Sequence, residues 1–236
     1  MESTLMVAQA FVPLPHVRPA AGVKSWSDLR LAAPLFLRVP LTMHVIRHGE
    51  TVTNAQRLVT GSVDAELSTH GVTQAKEVGT RLDQRYPLAF VSTLRRSRAT
   101  LEYAVRSNAV HVAILKSDPR LNERSLGVLE MQPERFIPAY AEGDLEFAPP
   151  GGESYELVAR RVLGFLLDLA ELAEDARVNK VLICGHMGPL RILCGIAEAA
   201  RDSRTVLARH FRNTELLKLE VDRVAIPPFL SRYANG

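Results

Sequence analysis

From residue 43 onward, short apolar runs alternate with stretches whose apolar positions recur every three or four residues. Residues 43–46, 88–91, 110–115 and 181–184 are the apolar runs, and 214–221 reads as a last strand. Between them, Val72, Ala75, Val78 and Leu82 share one helical face behind a capping Ser68. Leu94, Leu101 and Val105 mark a second helix. The clearest one follows the breaker Pro149-Pro150-Gly151-Gly152, with Val158, Val162, Phe165, Leu169 and Leu172 on one side. On its wet side Glu156 and Arg160 are spaced to pair at i, i+4. A further helix runs through Leu190 and Leu193. Strands alternating with helices predict an α/β fold, a largely parallel sheet with helices on both faces.

Residues 1–40 break this rhythm. They carry Pro13, Pro15, Pro19, Pro34 and Pro40 and show no helical or strand period. The expectation is an N-terminal extension over 1–40, partly disordered or wrapped on the surface, a domain over 41–225 and a tail over 226–236. With 47% hydrophobic and 23% charged residues, the 236-residue chain is neither a disordered polymer nor a disulfide scaffold. No apolar run approaches the roughly 18 residues that span a bilayer, so no membrane partner is expected. Cys184 and Cys194, ten residues apart, match no metal or redox spacing and are expected reduced, in the cytoplasm. Basic residues are 24 Arg and 5 Lys, yet the net charge is only +3. Arg81, Arg85, Arg95, Arg96, Arg98 and Arg106 lie on two helices without interleaved aromatics, which argues against nucleic acid.

Ligands bind open α/β sheets at the carboxyl ends of their strands. The first strand runs into Arg47-His48-Gly49-Glu50, the second into Ser92-Thr93-Leu94-Arg95-Arg96, the fourth into Gly185-His186. Three strands thus deliver Arg47, His48, Arg96 and His186 to one edge. Converging cations make an anion site, and two histidines allow proton or nucleophile chemistry near neutral pH. The carboxylates near these motifs are not clustered as a two-metal site would require, so no cofactor is expected.

These motifs resemble the signature of the histidine phosphatase superfamily, the phosphoglycerate mutase-like proteins. Arg47-His48-Gly49-Glu50-Thr51 with Asn54 looks like its first motif. Leu67-Ser68 with Gly71, Gln74 and Ala75 is similar to its first helix, and Ser92, Leu94, Arg96 and Thr100 to its second motif. Leu121-Asn122-Glu123-Arg124 with Gly127, then Gly152-Glu153-Ser154, then Gly185-His186 with Gly188 and Arg191, and finally Phe211-Arg212-Asn213 follow in the family's order. Thr53 stands where the family often has Trp, and Ser125 and Leu126 where its mutase branch has His and Tyr.

The resemblance implies a three-layer α/β/α sandwich around a mostly parallel sheet. It implies His48 as a nucleophile forming phosphohistidine. Arg47, Arg96, His186 and Asn54 would hold the phosphoryl oxygens, and Glu123 would serve as proton donor and then base. Substrate contacts would fall at Arg124, Glu153 and Ser154. The expected partner is a small-molecule phosphate monoester, while the oligomeric state stays open. Mutases of the family carry a long, basic insert, whereas here Glu123 and Glu153 are only 30 residues apart. That segment offers Arg124 and Arg135 against Glu130, Glu134, Glu142, Asp144 and Glu146. The reading is therefore a phosphatase whose substrate is neutral or cationic at its other end. Its alternatives are phosphoglycerate mutase-type transfer and a non-catalytic binder of phosphate or phosphohistidine.

Overall fold

The computed structural model describes residues 24–136 and 143–234. Five strands form one sheet: β1 (Leu35–Arg47), β2 (Arg85–Val91), β3 (His111–Ser117), β4 (Lys180–Gly185) and β5 (Leu216–Val224). Their order across the sheet is β3-β2-β4-β1-β5. All neighbours are parallel except β1 and β5, which run antiparallel. The register levels the three strand ends that matter. Arg47 lies opposite Gly185, and Val91 opposite Cys184. The chain therefore leaves β1, β4 and β2 side by side on one edge.

Helices cover both faces, giving the expected three layers. α3 (Thr69–Gly79) and α4 (Arg95–Ser107) pack one side, where Ile46, Ala89, Val91 and Leu182 meet Val78, Leu101 and Ala104. α5 (Tyr155–Ala176) and α6 (Met187–Ala197) cover the other, where Met43, Val45, Leu88 and Ile183 meet Val162, Phe165 and Leu193. β4 is buried on both faces, which is why it reads as an unbroken apolar run. Ser68 caps α3 by accepting the Gly71 N–H. Ser154 caps α5 the same way through Leu157, and Arg177 in the left-handed region ends it. α4 has no cap of its own; Asp64 accepts the Arg95 N–H at 2.7 Å instead. Shorter helices among the described residues include α2 (Val52–Ala55), α7 (Ser203–Ala208) and α8 (Ser231–Ala234).

Both ends of the described chain belong to this body. β1 starts at Leu35, and its first residues pair with β5 at Val224, so it runs straight across the boundary expected near residue 40. Before it, α1 (Trp26–Ala32) opens with a Ser25–Asp28 capping box and buries Leu29 completely against α5. Trp26 stacks on Tyr233 of α8 with ring centroids 4.8 Å apart, and Phe229 and Leu230 are buried in the same core. Residues 24–40 and 226–234 are thus domain, not extension and tail. The Trp26 indole N–H donates to Glu156 at 2.5 Å, so the expected Glu156–Arg160 pair does not form. Among the described residues no helix is long and apolar enough to cross a membrane.

Candidate active site

His48 stands one residue past β1. Its backbone N–H donates to Gly185 O at 3.0 Å, and its carbonyl accepts the Asn213 side-chain N–H at 2.9 Å. The imidazole Nδ1 lies 2.7 Å from Gly49 O. A carbonyl only accepts, so Nδ1 carries the proton and Nε2 keeps its lone pair. The ring is buried, and burial pushes its pKa well below the ordinary value. The charges of Arg47 and Arg96 push it further the same way. His48 is thus a neutral imidazole with Nε2 unprotonated, flanked by two guanidinium groups.

Arg96 sits in the first turn of α4 and is almost wholly buried. Its two terminal nitrogens donate to Val63 O at 2.6 Å and Gly61 O at 2.7 Å, and its Nε donates to His186 Nδ1 at 3.2 Å. Arg47 donates to Phe211 O at 2.5 Å, while its buried Nε has no hydrogen-bond partner among the described residues. A buried donor without a protein partner is left to a water or a ligand oxygen. Burial lowers the pKa of both arginines, and the charge of Glu123 pulls each back up.

His186 follows β4 directly and forms the N-cap of α6. Its ring centroid is 5.0 Å from that of His48. Nδ1 accepts from Arg96, so the neutral ring's proton is on Nε2, which faces Ser92 Oγ at 2.6 Å. Burial, then Arg96, His48 and Arg47, keep its pKa well down. The sequence placed His186 on the phosphoryl oxygens. In this arrangement both its ring nitrogens are engaged within the protein, and it orients Arg96.

Glu123 reaches the same edge from the loop after β3. Its Oε1 accepts the N–H groups of Arg124 at 2.9 Å and Gly188 at 3.0 Å, which leaves Oε2 open. The Asn54 side-chain oxygen closes a capping box with the Thr51 N–H. Its amide NH₂ makes no hydrogen bond among the described residues.

The three expected substrate contacts each make bonds within the fold. Buried Arg124 donates to the carbonyls of Glu153 at 2.6 Å and Phe147 at 2.9 Å, and lies over the Tyr155 ring. Glu153 takes Arg161 in a two-point ion pair at 2.8 and 3.0 Å. Ser154 is the α5 cap. Three residues without an assigned role in the sequence support the site. Ser92 receives His186, Thr100 accepts the Gly49 N–H at 2.9 Å, and Asn213 pins the His48 carbonyl. Each stands within a motif that carries the family resemblance, but that resemblance gave it no role.

The pattern of the histidine phosphatase superfamily (branch 1) matches residues 43–226. The chain belongs to that superfamily. Among curated histidine phosphatases and their kin, fructose-2,6-bisphosphatase TIGAR B of Danio rerio is 35% identical over 185 residues, covering 75% of this chain and 72% of that one. A probable phosphoglycerate mutase GpmB of Erwinia tasmaniensis is 33% identical, over 65% of this chain and 73% of its own. The match to the Danio rerio protein named probable fructose-2,6-bisphosphatase TIGAR A spans only 56% of that protein's length. Among solved structures, the mycobacterial glucosyl-3-phosphoglycerate phosphatase complexed with VO3 has a TM-score of 0.63 at 26% identity, covering 75% and 92% of the two chains. A phosphoglycerate mutase of Bacillus anthracis shares the fold, with a TM-score of 0.67 at 20% identity over 83% and 96%.

Proposed function

We propose that the protein is a metal-independent phosphomonoesterase that hydrolyses a small-molecule phosphate monoester through a phosphohistidine on His48. The observation that carries this is the Nδ1 contact of His48 to Gly49 O, which leaves a neutral Nε2 between Arg47 and Arg96. Nε2 attacks phosphorus and the ester P–O bond breaks. Arg47, Arg96 and the free Asn54 amide meet the charge on the equatorial oxygens. The departing alkoxide takes a proton from Glu123. Water then attacks the phosphohistidine, Glu123 accepts its proton, and the P–N bond breaks to release inorganic phosphate.

Hydrolysis is favoured over transfer because the segment between Glu123 and Glu153 is short and Arg124 is spent on backbone carbonyls. A non-catalytic binder would have no use for a carboxylate held at the same edge with one oxygen open. The named substrates of the TIGAR relatives and of the mycobacterial phosphatase are phosphorylated sugars and sugar conjugates, which supports that class here. The free, buried Cys184 and Cys194 support a reducing, cytoplasmic setting. Nucleic acid stays outside this reading, since Arg81, Arg95 and Arg106 already hold Thr214 O, Glu66 and Glu102.

The test is phosphate release from a panel of sugar phosphates, nucleotides and phosphoglycerates. Wild type should turn over at least one of them and trap an acid-labile phosphoryl group, and His48→Ala should do neither. Turnover by the alanine variant would end the proposal.

A further inference from the structure

The Arg96 guanidinium is held by two carbonyls that belong to no helix or strand, those of Gly61 and Val63. The residue between them is Ser62. Its backbone N–H and its hydroxyl both donate to Glu130 Oε1 at 2.8 Å, and the hydroxyl also lies 3.1 Å from Oε2. The same Oε1 accepts the Leu126 N–H at 2.8 Å and receives the Ser125 hydroxyl at 3.4 Å. Ser125 and Leu126 lie two and three residues after Glu123. One carboxylate therefore joins the loop that aims Arg96 to the loop that carries Glu123.

Backbone bonds run beside it. Met131 N–H donates to Val59 O at 2.7 Å, Val59 N–H to Gln132 O at 2.9 Å, and Glu134 N–H to Arg57 O at 3.0 Å. Gly61 has φ +52, and a Cβ there would collide with Glu130 Oε1. The loop is thus shaped around the carboxylate. The charge of Glu130 also favours the Arg96 cation.

We propose that Glu130 is a positioning residue of the active site, the carboxylate that sets the Arg96 guanidinium in register with Glu123. It touches no reacting atom and acts through Ser62 and the two carbonyls on either side. The proposal rests on the phosphatase reading, because that reading places Arg96 and Glu123 in the reaction. Glu130→Gln keeps the shape and can leave a carbonyl oxygen on the two backbone N–H groups, but it carries no charge and turns an NH₂ toward the Ser62 hydroxyl that Oε2 now receives. Aspartate is one methylene too short to reach both loops.

A double-mutant cycle separates positioning from simple bracing. Wild type, Glu130→Gln, Arg96→Ala and the double variant are compared in kcat/KM, in affinity for inorganic phosphate by calorimetry, and in thermal midpoint. Losing charge-assisted bonds should lower the kcat/KM and phosphate affinity of Glu130→Gln about tenfold. In the Arg96→Ala background the same change should cost nothing further. Equal loss in both backgrounds, or a lower midpoint with kcat/KM unchanged, would overturn the proposal. Ser62→Ala keeps the amide arm and removes only the hydroxyl, so it covers the case in which Glu130→Gln does not fold. Its loss should be about threefold and should also vanish without Arg96. A wild type that neither binds phosphate nor releases it from any ester would strike the phosphatase reading. An active wild type with additive losses would strike the role of Glu130 alone.

Discussion

Glu123 Oε1 lies 3.0 Å from the Gly188 N–H, and a Cβ at position 188 would stand 2.5 Å from that same oxygen. The carboxylate can rest on the first turn of α6 only because residue 188 has no side chain. Gly188→Ala should therefore push Glu123 away while leaving His48 and the arginines in place. Removing a positioned general acid typically costs about 10²–10⁴ in rate. The loss should fall on alkyl phosphates, whose leaving groups need a proton, and spare aryl phosphates. Equal loss on both, measured side by side, would show that Gly188 matters for packing and not for proton delivery.

Arg95 and Arg96 are sequence neighbours with opposite fates. Arg96 is buried on two carbonyls and His186, whereas Arg95 pairs with Glu66 at 2.5 Å on the surface. An exposed pair contributes little. A preorganised donor to a developing phosphoryl charge is worth roughly 10²–10³ in turnover. Arg96→Ala should fall in that range and Arg95→Ala within about twofold of wild type. Comparable losses would place the wrong arginine in the site.

How far each of these residues was legible depends on the kind of bond it makes. His48, Arg96 and His186 could be found because each follows a strand end within a few residues, where position along the chain predicts position in space. Gly61 O and Val63 O could not, since every residue carries a carbonyl and nothing in the sequence singles out those two. Glu130 was read as part of an acidic stretch for the same reason, its partners Ser62 and Leu126 lying in two irregular loops. α1 was missed because seven residues hold too few turns to show a period, and Pro34 stands just past its C-cap Ala33. Its one available signal was Ser25 three residues before Asp28. Glu156 was given to Arg160 by helical spacing, but Trp26 arrives from 130 residues away. The fold class survived these errors because β2, β4 and α5 rest on patterns longer than any one contact.

Leu29 is the cheapest check on the redrawn boundary. It is fully buried between α1 and α5. Leu29→Ala should destabilise the protein by about 2–5 kcal/mol, seen as a lower chemical-denaturation midpoint. Among the described residues no hydrogen bond, ion pair or ring contact joins Leu29 to Arg47, His48, Arg96 or Glu123, so kcat at temperatures well below the transition should not change. Unaltered stability would return residues 24–40 to the status of an extension.

Acid should act on both rate and stability through the two buried histidines of the site, His48 and His186. The unfolded chain binds a proton on His48 and His186 near the ordinary value of about 6.5, and the folded chain only well below it. Between those values the unfolded state binds more protons, so stability falls as pH drops through 6.5 and stops falling below the folded values. The contribution is fully present above the unfolded value. Thermal midpoints should decline from pH 7.5 to 5.5, and His48→Asn should decline less. The acid limb of kcat/KM should also lie below 6.5, because Nε2 stays unprotonated to lower pH. A limb at or above 6.5 would mean that His48 is not the neutral nucleophile.

The acidic segment after Glu123 argued for a substrate without a second anion, and its side chains tell against that. Glu130 is turned onto Ser62 and Leu126. Asp144 accepts the N–H groups of Glu146 and Phe147, and Glu146 meets Arg232 and Tyr233 of α8. Glu142 lies outside the described residues. Among the described acids of this stretch, Glu134 is the one whose charge acts on Arg47. In the same stretch Val128, Met131 and Phe147 are exposed and offer apolar surface. One exposed carboxylate, screened within about 8–10 Å by ordinary salt, is a weak barrier to an anion. A sugar bisphosphate should therefore be hydrolysed with kcat/KM within about tenfold of a neutral sugar monophosphate, a difference below about 1.4 kcal/mol. Glu134→Gln should shift the ratio toward the bisphosphate by about two- to threefold, and added salt should erase that shift. A preference for the neutral ester beyond a hundredfold, unmoved by Glu134→Gln, would mean that the pocket excludes a second anion by shape and not by charge.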